Sequence, residues 1–274
     1  LKRCTVLGRI AFALRIMASG RFVLLASTAL TAFAQDLRVP VQFFWTSGCI
    51  FSNRFITTAL NDTLSRAGIM DQVMNFQAHA FGNSYFVTWA CGGQNGVYNS
   101  QVRLCWEKRC GFGVVNRPAD CFTGRLINQH GDVEGHINRL YACVKATSQA
   151  QRGDDTVFMP FVTCMAHAFM EQLAALVQSE EAFAQKCSAE AGLPWGPINA
   201  CWKDTPGASA FGGDLLKQEA MLTPVHPYVP WVIVNGQPLK DKLDILQAAC
   251  NAYTGVKPAG CSGSLALTEP PFTV

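Results

Sequence analysis

The hydrophobic positions in the first part of the chain alternate between strand and helix periods. Residues 39–45 form a short apolar run that predicts a buried strand, and residues 51–66 place large apolar side chains on one helix face. Residues 72–81 alternate imperfectly and predict a second strand. Strand, helix and strand in this order are the beginning of a βαβ unit, so the pattern predicts an α/β fold.

The second half of the chain changes from a helical pattern back to strands. Residues 154–222 are predicted to be mostly helical, and residues 228–234 form an apolar run that predicts a strand. Asn235-Gly236 is a strong type I′ turn signal, after which residues 237–239 return as the second strand of a hairpin. A last helix is predicted over residues 241–253. This element order, with a proline at the entrance to the hairpin, is that of a thioredoxin-like fold with a helical insertion.

The number of cysteines indicates an oxidising compartment. Twelve cysteines are too many for a reducing cytosol unless they bind metal, and they include no repeated C-x-x-C pairs. Residues 82–127 contain four of them among glycines and polar turns, and we expect an elaborated loop closed by two disulfides rather than a zinc site. Apart from Cys4 and Cys49, ten cysteines remain for five disulfides, one of them joining Cys250 to Cys261.

Charge excludes one class of function. The chain has 22 Lys and Arg against 19 Asp and Glu, and five of the basic residues precede Asp36, the first acidic residue. The remaining body is close to neutral, which excludes the basic surface that nucleic-acid binding needs. Charged residues make up 15% of the chain, below the roughly 25% of typical soluble domains, which indicates a partner or a membrane.

Residues 1–35 have the pattern of a targeting leader. Residues 1–21 are basic and free of acidic side chains, and residues 22–34 are apolar and end in a small-x-small pattern. The alternative is a retained membrane anchor, because residues 16–34 approach the length that spans a bilayer. Both interpretations place the rest of the protein in the lumen of an organelle or on the secretory or lysosomal route.

Cys49 is the candidate nucleophile. It follows the predicted strand and opens the predicted helix, whose dipole favours a thiolate at that end. Dithiol reductases carry a second cysteine three residues later, which resolves the mixed disulfide, and here that position is Ser52. The sequence therefore predicts a nucleophilic thiol without an internal resolving thiol.

Two blocks of sequence resemble one known family. Residues 128–138, NQHGDVEGHIN, followed by Cys143, are similar to the C-Q-H-G-x-x-E-C-x-x-N-x-x-x-x-C signature of gamma-interferon-inducible lysosomal thiol reductases (the GILT family). Residues 228–239, YVPWVIVNGQPL, resemble that family's second block. The resemblance covers residues 39–81 and 126–261. It implies a thioredoxin-like domain over residues 36–261, with a cysteine-rich insertion at 82–127, a helical insertion at 154–222 and a tail at 262–274.

The resemblance also implies roles for individual residues. Cys49 and Ser52 take the places of the two active-site cysteines, and Val229 and Pro230 take those of the substrate-binding segment with its cis-proline. Asn128 and Gly135 stand where the signature has two further cysteines. Their joint loss suggests that those two cysteines are disulfide partners.

Two functions from different classes remain open. The first is a monothiol thiol-disulfide oxidoreductase, which acts on a disulfide-containing protein or a small thiol without a cofactor. The second is a non-catalytic accessory or structural subunit of a membrane-associated complex, so whether the chain is an enzyme stays undecided. No metal site is expected, because His130 and His136 suit neither one helix face nor a strand pair. A catalytic Cys49 requires an open groove beside Pro230, whereas a subunit would bury that face.

Overall fold

A computed structural model describes residues 37–92, 95–152, 155, 157–203 and 213–263. The leader or anchor predicted at residues 1–35 lies outside the described residues, as does most of the tail predicted at 262–274. The assignment of residues 36–261 to one domain with two insertions stays a prediction.

The described residues form short strands and mostly longer helices. The strands are β1 (Val39–Phe44), β2 (Met74–His79), β3 (Tyr85–Phe86), β4 (Leu126–Ile127), β5 (Trp231–Val234) and β6 (Gln237–Pro238). The helices are α1 (Ile50–Phe55), α2 (Asn61–Leu64), α3 (Ser100–Cys110), α4 (Asp132–Arg152), α5 (Phe158–Gln178), α6 (Glu180–Glu190), α7 (Trp195–Lys203), α8 (Gly213–Leu222) and α9 (Ile245–Ala252). A π-helical stretch, Ile56–Leu60, joins α1 to α2, and another, Ile69–Val73, precedes β2.

The central sheet has the thioredoxin-like topology. Its strand order is β2-β1-β5-β6, with β1 parallel to β2 and antiparallel to β5, and β5 antiparallel to β6. The βαβ unit is thus followed in the sheet by a hairpin, and α9 follows the hairpin in the chain. Asn235 and Gly236 both have positive φ, 49° and 75°, as the predicted type I′ turn requires. The predicted α/β fold is confirmed.

Aromatic and aliphatic side chains fill the space between the sheet and its helices. Phe43 stacks on Trp45 with ring centroids 4.9 Å apart, and Trp45 lies 5.6 Å from Tyr141 of α4. Helix α5 is long and apolar enough to cross a membrane, as judged by length and composition alone. Its buried side chains, such as Phe161 and Met165, belong to the same core, whereas Leu173 and Val177 near its end are exposed.

The segment 82–127 is more regular than the predicted loop. It contains the β3-β4 pair and the helix α3, whose first N–H groups are capped by the Asn99 side chain at 2.9 and 3.1 Å. The buried face of α3 combines Trp106 with the charged residues Arg103 and Glu107. Because charged residues occupy part of the buried face, hydrophobic periodicity did not reveal this helix.

Ten cysteines pair as five disulfides, which confirms that expectation. The pairs are Cys91–Cys105, Cys110–Cys121, Cys143–Cys201, Cys164–Cys187 and Cys250–Cys261. The first two pairs lie in the segment 82–127, where two disulfides were expected rather than a zinc site. The next two tie α4 to α7 and α5 to α6.

Candidate active site

Cys49 lies between β1 and α1 as the N-cap residue of the helix. Its backbone is extended, with φ −85° and ψ 116°, and its carbonyl accepts a hydrogen bond from Asn53 Nδ2 at 2.9 Å. Asn53 Nδ2 also donates to the Ser47 carbonyl at 2.7 Å, which fixes the turn before the cysteine. Among the described residues Cys49 is the free cysteine, and 6% of its surface is exposed.

The segment before β5 meets Cys49 from the other side. Cys49 Sγ lies 3.9 Å from the Val229 carbonyl oxygen, within hydrogen-bonding distance for sulfur. The Val229–Pro230 peptide bond is cis, and Val229 is buried while the preceding Tyr228 is half-exposed. The fold thus brings together residues that are 180 positions apart in the sequence. Their catalytic and substrate-binding roles stay predictions.

Ser52 occupies the first turn of α1 and is completely buried. Its hydroxyl oxygen has no hydrogen-bond partner among the described residues. Ile50 and Phe51, between the cysteine and the serine, are about half-exposed. This position therefore offers a hydroxyl group, without a partner, where a C-x-x-C site would offer a thiol.

Two residues of the signature segment support the turn that carries Cys49. Asn138 of α4 accepts a hydrogen bond from the Ser47 N–H at 2.9 Å and donates to Thr46 Oγ1 at 2.9 Å. Ser47 Oγ donates to the Glu134 carbonyl at 3.1 Å. The sequence identified Glu134 and Asn138 as parts of a motif but assigned them no contact with the Cys49 turn.

Glu134 also binds His130, and together they leave no room for a side chain at position 48. His130 Nδ1 lies 2.5 Å from Glu134 Oε2, and this hydrogen bond raises the pKa of His130. A Cβ atom on Gly48 would lie 2.6 Å from Glu134 Oε2 and 2.7 Å from His130 Cβ. The backbone turn that leads to Cys49 therefore has room only for glycine at position 48.

His136 has a separate partner, since its Nδ1 lies 2.6 Å from Glu180 Oε2.

The two substituted cysteine positions of the signature face each other. A Cβ atom added to Gly135 would overlap the amide group of Asn128. Asn128 Oδ1 instead accepts a hydrogen bond from Ser84 Oγ at 2.9 Å. This proximity supports the inference that cysteines at the two positions would be partners.

An open groove runs beside the thiol, and we call it the thiol groove. It has a volume of about 400 Å³ and is lined by Cys49, Ile50, Phe51, Asn83, Tyr98, Ser100, Arg103, Gln129, His130, Pro227, Tyr228 and Val229. One wall is the segment that leads to the cis-proline. Tyr98, Ser100 and Arg103 come from the cysteine-rich segment, for which the sequence predicted no part in the site.

Arg103 connects α3 to the segment before the cis-proline. Arg103 Nη1 donates to Glu107 Oε1 at 2.8 Å and to the His226 carbonyl at 3.0 Å. Burial raises the pKa of Glu107 to about 7, and burial lowers the pKa of His226 to about 4. At neutral pH His226 is therefore uncharged, and Glu107 is close to its midpoint of ionisation.

These features define a thioredoxin-like fold in which Cys49, the free cysteine among the described residues, lies beside the segment that contains the cis-proline. No protein-family model matches the chain. Three curated relatives do match, although the chain spans only about half the length of the first two. A gamma-interferon-responsive lysosomal thiol protein of Arabidopsis thaliana is 30% identical over 52% of this chain and 56% of the relative. A gamma-interferon-inducible lysosomal thiol reductase of Mus musculus is 30% identical over 49% of each chain.

The third relative extends the match over more of the chain. It is a gamma-interferon-inducible lysosomal thiol reductase of Carassius auratus, 24% identical over 74% of this chain and 81% of the relative. The three relatives carry closely related names, and both sequence blocks lie in the described fold. The chain is therefore similar to the gamma-interferon-inducible lysosomal thiol reductases over half to three quarters of its length.

Proposed function

We propose that the protein exchanges disulfides through the single thiol of Cys49 and depends on an external thiol to complete each cycle. The observation that carries this proposal is the pair of residues at the start of α1, the N-cap Cys49 and Ser52 in the first turn. Cys49 is an unpaired cysteine beside the Val229 carbonyl and an open groove, whereas Ser52 offers no second sulfur.

The chemistry has two balanced steps. The Cys49 thiolate attacks one sulfur of a disulfide R–S–S–R′, forms the mixed disulfide Cys49–S–S–R and releases R′–S⁻. An external thiolate then attacks the mixed disulfide, frees the Cys49 thiolate and forms a new disulfide with R. In a C-x-x-C enzyme the second cysteine of the same site makes the second attack. Because this chain has Ser52 at that position, the mixed disulfide at Cys49 is long-lived.

The segment around the cis-proline would position the substrate. Val229 lies with its carbonyl oxygen against Cys49 Sγ, and Pro230 follows it into β5. We propose that this backbone holds an extended segment of a disulfide-containing protein. The names of the relatives support a lysosomal or other lumenal location, and the five disulfides fit an oxidising compartment.

The test combines alkylation with a gain of function. We expect Cys49 to alkylate faster than a reference peptide thiol, and the protein to reduce insulin disulfides poorly. Ser52→Cys should increase insulin reduction because it restores intramolecular attack, while Ser52→Ala serves as the matched control without a sulfur. An unreactive Cys49, or no gain from Ser52→Cys in a folded protein, would contradict the proposal.

The second candidate is a non-catalytic accessory subunit of a membrane-associated complex. It is favoured by the exposed apolar side chains of Ile50, Phe51 and Tyr228, which surround a largely buried thiol. Apolar side chains grouped in this way are typical of a binding surface. Purification of the native protein distinguishes the candidates, since a subunit would co-purify in a complex that protects Cys49 from alkylation.

A further inference from the structure

The ionisable side chains that line the thiol groove are unevenly distributed. Among the described residues that line it, Arg103 and His130 can carry positive charge, and none is an aspartate or glutamate. The nearby carboxylates belong to Glu107 and Glu134, which bind Arg103 and His130 without lining the groove. The exposed wall of the groove is therefore suited to an anion.

Arg103 is the strongest candidate for binding that anion. Only 3% of its surface is exposed, so its charge acts in a partly desolvated environment where Coulomb interactions are stronger than in water. Its Nη1 is occupied by Glu107 and the His226 carbonyl, but its buried Nε has no hydrogen-bond partner among the described residues. Because this nitrogen is buried, and the guanidinium also hydrogen-bonds to the Tyr98 side chain, Arg103 acts on an anion in the groove through its charge.

The other groups around Arg103 do not cancel its charge at mildly acidic pH. Burial raises the pKa of Glu107 to about 7, so this carboxyl group is mainly protonated below that pH. Burial also raises the pKa of Tyr98, which keeps its phenol neutral, and His226 is neutral above about pH 4. His130 and Glu134 form a pair of their own, so Arg103 carries the main uncompensated charge.

We propose that the thiol groove selects reaction partners that carry a carboxylate a few atoms from the reacting sulfur, and that Arg103 provides this selectivity. The inference rests on the proposed function and names its co-reactant by chemistry. The partner is either a small thiol with a carboxylate group or an acidic polypeptide segment around a cystine. In both cases the carboxylate lies toward Arg103 while the sulfur attacks, or is attacked by, the Cys49 sulfur.

The experiment compares three small disulfides of similar shape and different charge. These are 3,3′-dithiodipropionate, bis(2-hydroxyethyl) disulfide and cystamine, which are anionic, neutral and cationic. The protein carries Cys4→Ser, and mass spectrometry follows the formation of the mixed disulfide at Cys49. Each rate is divided by the rate of the same disulfide with a free reference thiol, which removes the intrinsic reactivity of the reagent.

Two variants should change the anion-to-cation rate ratio in opposite directions at pH 8, where Glu107 is ionised. Glu107→Gln removes the counter-charge of Arg103 and should raise the anion-to-cation rate ratio. The combined variant Arg103→Met with Glu107→Gln removes both charges, leaves no unpaired buried carboxylate and should bring the ratio close to one. We expect roughly a tenfold difference between these two variants at low salt, and a smaller one at high salt.

Controls distinguish a local charge from a general effect. Arg103→Met with Glu107→Gln leaves the net charge at pH 8 unchanged, so its effect cannot come from the overall charge. Lys108→Met changes the net charge by one at an exposed position of the same helix, and it should leave the ratio unchanged. A distorted site would slow all three reagents together, whereas loss of selectivity changes only their ratio. Equal ratios in all variants, or a preference for cystamine, would overturn the inference.

The outcomes separate this inference from the proposed function. If Cys49 reacts with none of the three disulfides, both are refuted. If it reacts with all three at equal normalised rates, only the carboxylate selectivity is refuted. If the anionic disulfide is preferred, peptide disulfides flanked by glutamate or lysine identify the source of the carboxylate. A preference for glutamate peptides supports an acidic polypeptide, and a preference seen only with small reagents supports a small thiol.

Discussion

A disulfide engineered between positions 128 and 135 tests whether these substituted positions are correctly placed. A Cβ atom on Gly135 would overlap the Asn128 side chain, so Asn128→Cys with Gly135→Cys should form a disulfide spontaneously in the oxidised protein. Closing a loop of about eight residues removes roughly 2.5 kcal/mol of unfolded-state entropy at 25 °C. The Asn128–Ser84 hydrogen bond, worth about 1 kcal/mol, is lost.

Replacing a glycine inside α4 returns about 0.5 kcal/mol of helix propensity, so the expected net gain is about 2 kcal/mol. Urea unfolding of the oxidised double variant and the wild type would measure this gain, and peptide mapping without reduction would locate the new bond. Gly135→Cys alone should be destabilised by about 1–3 kcal/mol, because its side chain overlaps Asn128. Two freely alkylated thiols in a folded double variant would refute the reasoning.

Three further predictions concern the same region. Gly48→Ala should destabilise the protein by about 2 kcal/mol and slow Cys49 alkylation, because its Cβ would lie 2.6 Å from Glu134 Oε2; unchanged unfolding and alkylation would contradict this. Because the pKa of Glu107 is about 7 when folded and near 4.5 when unfolded, its contribution to stability is greatest at low pH and falls as pH rises through that interval. The unfolding free energy of wild type relative to Glu107→Gln should therefore drop by up to about 3 kcal/mol between pH 4.5 and 8, and a constant difference would refute the assignment. Ser52→Ala removes a buried hydroxyl that lacks a partner and should stabilise the protein by about 1 kcal/mol, whereas a clear loss of stability would indicate a hydrogen bond at that oxygen.

The central sheet could be predicted from the sequence because its signals are local. The strand expected over residues 39–45 is β1, Val39–Phe44, and the Asn235-Gly236 turn has the expected positive φ angles. Alternating or continuous apolar runs identify buried strands without knowledge of their neighbours. The contact between Cys49 and Val229 has no local sequence signal. Only the resemblance to a known family linked these two segments, which are far apart in the sequence.

The wall of the thiol groove contributed by α3 could not be predicted in the same way. Arg103 and Glu107 are buried because they bind each other and the His226 carbonyl, and these partners are supplied by the tertiary fold. A charged pair on a buried helix face has no hydrophobic period. The Asn99 cap was the local signal available for this helix, and it indicates where α3 begins but not which face is buried.

The lifetime of the mixed disulfide at Cys49 tests the central claim most directly. The Cys4→Ser protein is allowed to react with a peptide disulfide, and mass spectrometry follows the adduct after excess peptide is removed. We predict that the adduct persists until an external thiol is added, and that Ser52→Cys releases the peptide without one. Spontaneous release from the protein with Ser52, or no adduct at Cys49 at all, would contradict the account.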